Sequence, residues 1–213
     1  MKNIILIIVV LLTISFQAKS QEGLSAIETR LEQAKARLEA QGIKVSFNNP
    51  NEEKPVHPFI AKWTNQKLPS FQLRDISGKL IDSKDLKGKY IHINFWSVTC
   101  RPCIEEFPEL DEIKDKYGDN EVIYLAIAPE SDKQVKKIVK KRPLNYTIIA
   151  NAEELFDQLG IEGFPKNFFI NKEGVIEKIT DGTNYKMEMI NGEIKMIPDN
   201  FRHYDEIMAN LIR

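Results

Sequence analysis

Cysteine is nearly absent from this chain: two residues among 213, Cys100 and Cys103. A disulfide framework is thereby excluded, and a chain of this length can bury a core without one. A structural zinc site needs four ligands, usually from two cysteine pairs. No second pair exists, and the three histidines, His57, His92 and His203, lie far apart in sequence, so no metal site is expected. A surplus of charge is missing too. Lys and Arg number 30 against 31 Asp and Glu, a net charge of −1, which lacks the basic excess of a nucleic-acid binder.

Long apolar runs are also scarce. One stands out, "IILIIVVLLTISF" from Ile4 to Phe16, after Lys2 and before "QAKS", where Ala18 and Ser20 match the small-residue pattern of signal cleavage. It falls short of the roughly 20 apolar residues that span a bilayer comfortably. Residues 1–20 are therefore expected to be a secretory signal, with a retained membrane anchor as the alternative. No cysteine closes the run, so lipid attachment there is excluded. The expected location is the periplasm or cell envelope, where disulfides persist.

Leu24, Ile27, Leu31, Ala34 and Leu38 form one stripe on a helix expected over 24–41, docked on its own domain or acting as a short dimerisation seam. "NNPNEEKPVHP" reads as linker. Residues 21–67 are accordingly an N-terminal helix and linker, and 68–213 the main domain. There, "FQLRD" and "LID" flank a turn as an N-terminal hairpin. "YIHINFW", "VIYLAIA", "YTII", "NFFIN" and "GVIEKIT" read as strands alternating with helices, the first helix from Cys100 to Tyr117 and the last from Asn200 to Arg213. The expected class is α/β with a central mixed sheet flanked by helices. "YKMEMINGEIKMI", Tyr185 to Ile197, alternates around Asn191-Gly192 as an inserted hairpin before the final helix and carries Met187, Met189 and Met196. That hairpin either meets a partner or covers the domain's own core. Lys133, Lys136, Lys137, Lys140 and Lys141 form a helical stripe, a solvated face or a contact for anionic lipid.

The two cysteines lie in "FWSVTCRPCIEEFP". As a staple, a bridge between positions three apart closes too small a loop to stabilise much. As a redox pair the surroundings make sense. Cys100 sits where a buried strand ends and a helix starts, and the unpaired N–H groups there stabilise a thiolate. Pro102 suits the first helical turn. Arg101 brings positive charge beside the sulfurs, and Cys103, one turn in, is placed to resolve a mixed disulfide formed at Cys100. Glu106 lies one further turn on, toward the Cys103 face, whereas Glu105 points elsewhere. It is either a base for Cys103 or a charge at the helix start.

The stretch "LPSFQLRDISGKLIDSKDLKGKYIHINFWSVTCRPCIEEFPEL" resembles the opening of the exported thioredoxin-fold reductases called TlpA-like or ResA-like, and "GFPKNFFINKEGVI" resembles their second signature. The resemblance covers about 68–182 and the last helix. It implies a thioredoxin-like fold and thiol–disulfide oxidoreductase activity without a cofactor, through a redox-active Cys100–Cys103 disulfide. Cys100 would attack and Cys103 resolve. Pro165 would be a cis proline against the disulfide, and the Phe164 backbone would meet the client, with Arg101 and Pro102 beside it. Partners implied are disulfide-bearing client proteins, apocytochrome c among them, and a membrane-embedded thiol electron donor. The oligomeric state is not implied. Asn94 replaces a buried acid found in thioredoxin, Thr99 a common tryptophan, and Lys166 a frequent threonine. A thiol oxidase or isomerase with the same residues, or a partner-binding module with incidental thiols, are the rival readings. A peroxiredoxin motif is incomplete: Ser97 fits its serine, but Ile93 stands where its proline belongs.

Overall fold

The computed structural model describes residues 29, 30, 33, 37, 56–190 and 193–213. The chain divides into two compact units, Met1–Pro55 and Val56–Arg213. In the first, Thr29, Arg30, Gln33 and Arg37 are helical and exposed, within the helix expected over 24–41. The apolar stripe of that helix, the signal 1–20, the linker stretch 43–55 and the Asn191-Gly192 turn lie outside the described residues.

The second unit opens with α1 (Pro58–Trp63), inside the stretch expected as linker up to Lys67, so its boundary lies well before 68. His57 caps α1 through Nδ1, which accepts from the Phe59 N–H at 3.2 Å, and Pro58 suits the first turn. Phe59, Ile60 and Trp63 pack against the core, and Trp63 Nε1 donates to the Leu159 carbonyl at 2.8 Å. Six residues carry too little periodicity to announce a helix from sequence; tertiary packing holds it.

A hairpin of β1 (Gln72–Arg74) and β2 (Leu80–Asp82) follows, then a 3-10 turn at Ser83–Leu86. The main sheet holds β3 (Tyr90–Phe95), β4 (Val122–Ile127), β5 (Thr147–Ile149), β6 (Lys166–Ile170) and β7 (Ile176–Asp181), in the order β5-β4-β3-β6-β7. β3, β4 and β5 run parallel; β6 and β7 are antiparallel additions. The parallel pairs need crossovers. Between β3 and β4 these are α2 (Arg101–Glu105) and α3 (Phe107–Tyr117), and between β4 and β5 it is α4 (Asp132–Val139). α5 (Glu153–Leu159) precedes β6, and α6 (Phe201–Leu211) ends the fold. The single helix expected from Cys100 to Tyr117 is thus broken at Glu106. Pro108, in the first turn of α3, has no N–H to continue the ladder.

All six β3 residues are buried because both faces are covered. Ile91, Ile93 and Phe95 point into one core with Phe156 and Phe168. Tyr90 and Trp96 belong to the other, with Cys103, Phe107, Leu110, Tyr204 and Met208. Each large apolar side chain so buried contributes about 1.5–3 kcal/mol. The strand alternation sends His92 and Asn94 into that second core, where they must find polar partners. β8 (Tyr185–Ile190) and β9 (Glu193–Pro198) pair with each other as a separate antiparallel ribbon.

Candidate active site

β3 ends at Phe95, and the chain turns through Ser97–Thr99 into α2. Glu130, after β4, ties that turn down: its carboxylate accepts from Ser97 Oγ and from the Val98 N–H. Cys100 is the N-cap of α2, and its Sγ accepts from the Cys103 N–H at 3.2 Å. The side-chain acceptor that caps most helices is here a sulfur, held where the first turn's N–H groups converge. Cys100 and Cys103 are joined by a disulfide. Cys103 has no exposure, while Cys100 keeps part of its surface in solvent.

Lys166 pairs with Phe95 across the sheet, so Pro165 immediately precedes β6 at the same end of β3 as the cysteine turn. The Phe164–Pro165 bond is cis. Phe164 packs against the core that holds Cys103, and its ring lies 5.7 Å from Phe156.

Behind the cysteines lies a buried polar network. Glu106, at the α2–α3 break, has no exposure. Its Oε1 accepts from Asn94 Nδ2 at 2.7 Å, and its Oε2 accepts from Tyr204 Oη at 3.1 Å and Asn200 Nδ2 at 3.3 Å. Asn167 Nδ2 donates to Tyr204 Oη at 2.9 Å; Asn167 Oδ1 accepts from Asn94 Nδ2 and faces His92 Nε2 at 3.1 Å. Tyr146 Oη lies 2.9 Å from His92 Nδ1. With His92 protonated on Nε2, the donors run from Tyr146 through His92, Asn167 and Tyr204 to end on Glu106.

Burial opposes the charge more than these bonds support it. Desolvation lifts the Glu106 carboxyl to about 8, against hydrogen bonds from Tyr204 and Asn94 that pull it down. The same burial holds His92 neutral, its pKa depressed to about 3. This carboxyl, three residues after the buried Cys103, sits at the break between α2 and α3. Asn200 also contacts Glu109, its backbone N–H donating to Oε1 at 2.9 Å and its Nδ2 to Oε2 at 3.2 Å. Glu109 is only half buried, so the network reaches solvent there.

Arg101 and Lys166 are both engaged in ion pairs. Arg101 is 87% exposed and paired with Glu105, Nε to Oε1 at 2.6 Å, and that carboxylate also accepts from Tyr185 Oη at 3.4 Å. Lys166 shares the sheet face of Phe95, away from Cys103. Its ammonium meets Asp181 at 2.7 Å and lies 4.8 Å from the Phe59 ring centre. The physical reason is strand alternation: one residue after the proline faces the opposite core. Asn167, Tyr204 and Asn200 were not anticipated. The one available signal was the polar residue in each of two buried strands, Asn94 and Asn167.

A cystine in the first turn of a helix that leaves the middle strand of this sheet defines a class: a thioredoxin-like thiol–disulfide oxidoreductase. More narrowly, the chain belongs to the AhpC/TSA family, whose model matches residues 64–179. Over 134 residues it is 34% identical to the thiol-disulfide oxidoreductase ResA of Bacillus thuringiensis (strain Al Hakam), covering 62% of this chain and 77% of that one. Against ResA of Bacillus subtilis (strain 168) it is 32% identical over 117 residues, 54% of this chain and 65% of that one. Among solved structures, a Chlorobium tepidum protein provisionally assigned as the thiol:disulfide interchange protein DsbE superposes with a TM-score of 0.58. It is 21% identical, with 70% of this chain and 97% of that one covered, a likeness of fold alone.

Proposed function

We propose that the chain is an exported reductase of disulfides in cell-envelope proteins, with residues 1–20 as its signal. Cys100, as thiolate, attacks one sulfur of a client disulfide. The client S–S bond breaks, a Cys100–client disulfide forms, and the displaced client thiolate takes up a proton from solvent. Glu106 then accepts the Cys103 proton. Cys103 attacks Cys100 Sγ and releases the second client thiolate, so two electrons pass to the client and the Cys100–Cys103 disulfide remains. A dithiol must reduce that disulfide for the next turnover, and a membrane-embedded thiol donor fits an exported enzyme. Pro165 and the Phe164 backbone border the client, as do Arg101 and Pro102 on the other side of Cys100. Apocytochrome c is one client class that the ResA likeness points to. Neither a cofactor nor a nucleic acid enters this reading.

The observation that carries the reading is the Cys100–Cys103 disulfide at the start of α2, with Cys103 wholly buried and Cys100 partly open, and the buried Glu106 three residues on. Reduction is favoured over oxidation for a further reason. Thiolate-stabilising charges would make the pair more oxidising, and the two candidates are otherwise engaged, Arg101 with Glu105 and Lys166 with Asp181. The test is Cys103→Ser in the native host, which leaves the mixed disulfide unresolved. Envelope proteins held covalently to Cys100, and released by dithiothreitol, are the expected result. No adduct, together with no turnover of any disulfide by the wild type with a dithiol donor, would overturn the proposal.

A further inference from the structure

The β8–β9 ribbon has two chemically different faces. Directly opposed residues of an antiparallel pair share a face, as do residues two apart. Met187 opposes Met196, Met189 opposes Ile194, and Tyr185 opposes Pro198, which places all six on one side. The other side carries Lys186, Glu188, Glu193 and Lys195, with Ile190 and Ile197 at its ends. There Lys186 pairs with Glu188 at 3.0 Å, and Glu188 opposes Lys195. A ribbon covering its own core would bury the methionine side. Instead Met187, Met189, Ile194 and Met196 are 73%, 74%, 69% and 60% exposed. Side chains this open in one row expose apolar surface on the order of a few hundred Å², the size at which a soluble surface marks an interaction site. Methionine suits a surface that must fit varied partners, being unbranched and polarizable.

This face runs into the active site. Met196, Ile197 and Pro198 form one wall of a cleft of about 800 Å³ whose other walls include Thr99 and Arg101, the residues on either side of Cys100. Tyr185, at the root of the ribbon, reaches Glu105 of α2. Lys141 and Arg142 also line it and add positive charge. Among the described residues, the only acid lining the cleft is Glu105, and Arg101 already neutralises it. A disulfide presented to Cys100 must bring its flanking chain over this surface, so the cleft continues the interface that any protein disulfide has to make.

We propose that the cleft and the methionine face bind an extended client segment, with apolar side chains beside the cystine and acidic residues toward Lys141 and Arg142. The occupant rests on the reading of the chain as a reductase of protein disulfides. Apolar walls take the apolar side chains, and the positive charge selects acids over bases.

Three purified full-length proteins test it: wild type, the Met187→Ser/Met189→Ser/Met196→Ser variant, and Lys141→Glu/Arg142→Glu. Each is assayed with a dithiol donor on three substrates. One is a synthetic cystine peptide with Leu and Glu flanks, the second carries Leu and Lys flanks, and the third is hydroxyethyl disulfide, too small to reach the ribbon. The quantity read is the ratio of kcat/KM for each peptide to that for the small disulfide. The methionine variant should lower this ratio at least about tenfold for both peptides, the weight of roughly 1.4 kcal/mol of apolar contact. The charge variant should reverse the preference between Glu and Lys flanks while leaving the ribbon intact, so it decides the matter even if the methionine variant folds poorly. Ratios unchanged in both variants would overturn the proposal while leaving the reductase reading standing. A wild type inactive on all three substrates would instead sink the reductase reading. A wild-type dimer lost in the methionine variant, with unchanged ratios, would assign the face to a second copy of the chain.

Discussion

Tyr204 Oη donates to Glu106 Oε2 at 3.1 Å, joining residues 98 positions apart. The bond ties the C-terminal helix to the carboxyl that follows the cysteine pair. α6 carries Asn200 just before its first turn and Tyr204 one turn in, and both reach the same carboxylate oxygen. Three elements distant in sequence thus close around one acid: β3 through Asn94, β6 through Asn167, and α6.

Glu106→Gln should keep the fold and slow thiol–disulfide exchange, with general-base losses on the order of 10²-fold. An amide cannot take the Cys103 proton, while the Tyr204 hydroxyl can turn to accept from it. Glu105→Gln, which weakens the ion pair with Arg101 and the bond from Tyr185 but leaves the buried network intact, should change exchange with a small disulfide by no more than about twofold. Stopped-flow exchange from pH 5 to 9 compares them. Equal effects with identical pH profiles would make Glu106 a structural group.

In the reduced protein, Cys100 should be alkylated faster than Cys103. Cys103 has no exposed surface, and Cys100 caps the helix from a partly open position. Mass spectrometry after timed iodoacetamide quenches reads the order directly. Faster labelling of Cys103 would reverse the two roles.

Much of this site was legible because its signals are local. The buried run of β3, the cysteine spacing, Pro102 in the first turn and Glu106 one turn on all lie within a few residues of one another. Asn200 and Tyr204 were not legible, since nothing near them in sequence says that α6 docks on α3. The turn of Lys166 away from the sulfurs follows from its register opposite Phe95, which sequence does not state. α1 was read as linker because six residues with a histidine cap carry few of the usual helix-start signals. The methionine ribbon was legible as a hairpin, but its exposure depends on what it leaves uncovered.

Lys166→Met should leave the alkylation rate of Cys100 unchanged, because the Lys166 ammonium contacts Asp181 and Phe59 on the opposite face. Asp181→Asn should destabilise, since it leaves a cation at 5% side-chain exposure without its partner. Asp181 is itself partly solvated, so the loss should be about 1–2 kcal/mol, less than for a fully buried pair. Denaturant midpoints give the second value. A change in Cys100 reactivity with Lys166→Met would place the charge back at the sulfurs.

A chain starting at Leu68 should be less stable by several degrees than chains starting at Gln21 or at Val56. The deletion to Leu68 removes α1, with Phe59, Ile60 and Trp63 from the core and the Trp63–Leu159 bond. Losing that much apolar burial costs several kcal/mol at about 25 cal/mol per Å². Calorimetry on the three chains locates the boundary, and equal midpoints for all three would restore it to 68.

Glu106 and His92 make opposite demands on stability as pH changes. Glu106 titrates near 4.5 when unfolded and about 8 when folded, so the folded state holds the extra proton between those values. Its contribution is full below about 4.5 and is lost as pH rises toward 8. His92 titrates near 6.5 unfolded and about 3 folded, so its contribution is full above 6.5 and lost as pH falls toward 3. Between 4.5 and 6.5 the two slopes offset each other, which predicts a flat maximum there. The lowered Asp75, Asp82 and Asp205 add to the acid limb only. Above 6.5 the His92 slope is gone and the Glu106 slope remains, at up to about 1.4 kcal/mol per pH unit for one full proton. Urea unfolding of the oxidised wild type and of Glu106→Gln at unit steps from pH 4 to 9 isolates it, because the other groups cancel in the difference. The wild type should lose stability relative to the variant as pH rises through this window and run parallel to it at pH 9. Parallel curves throughout would mean that Glu106 is not the group that carries a raised pKa in the fold.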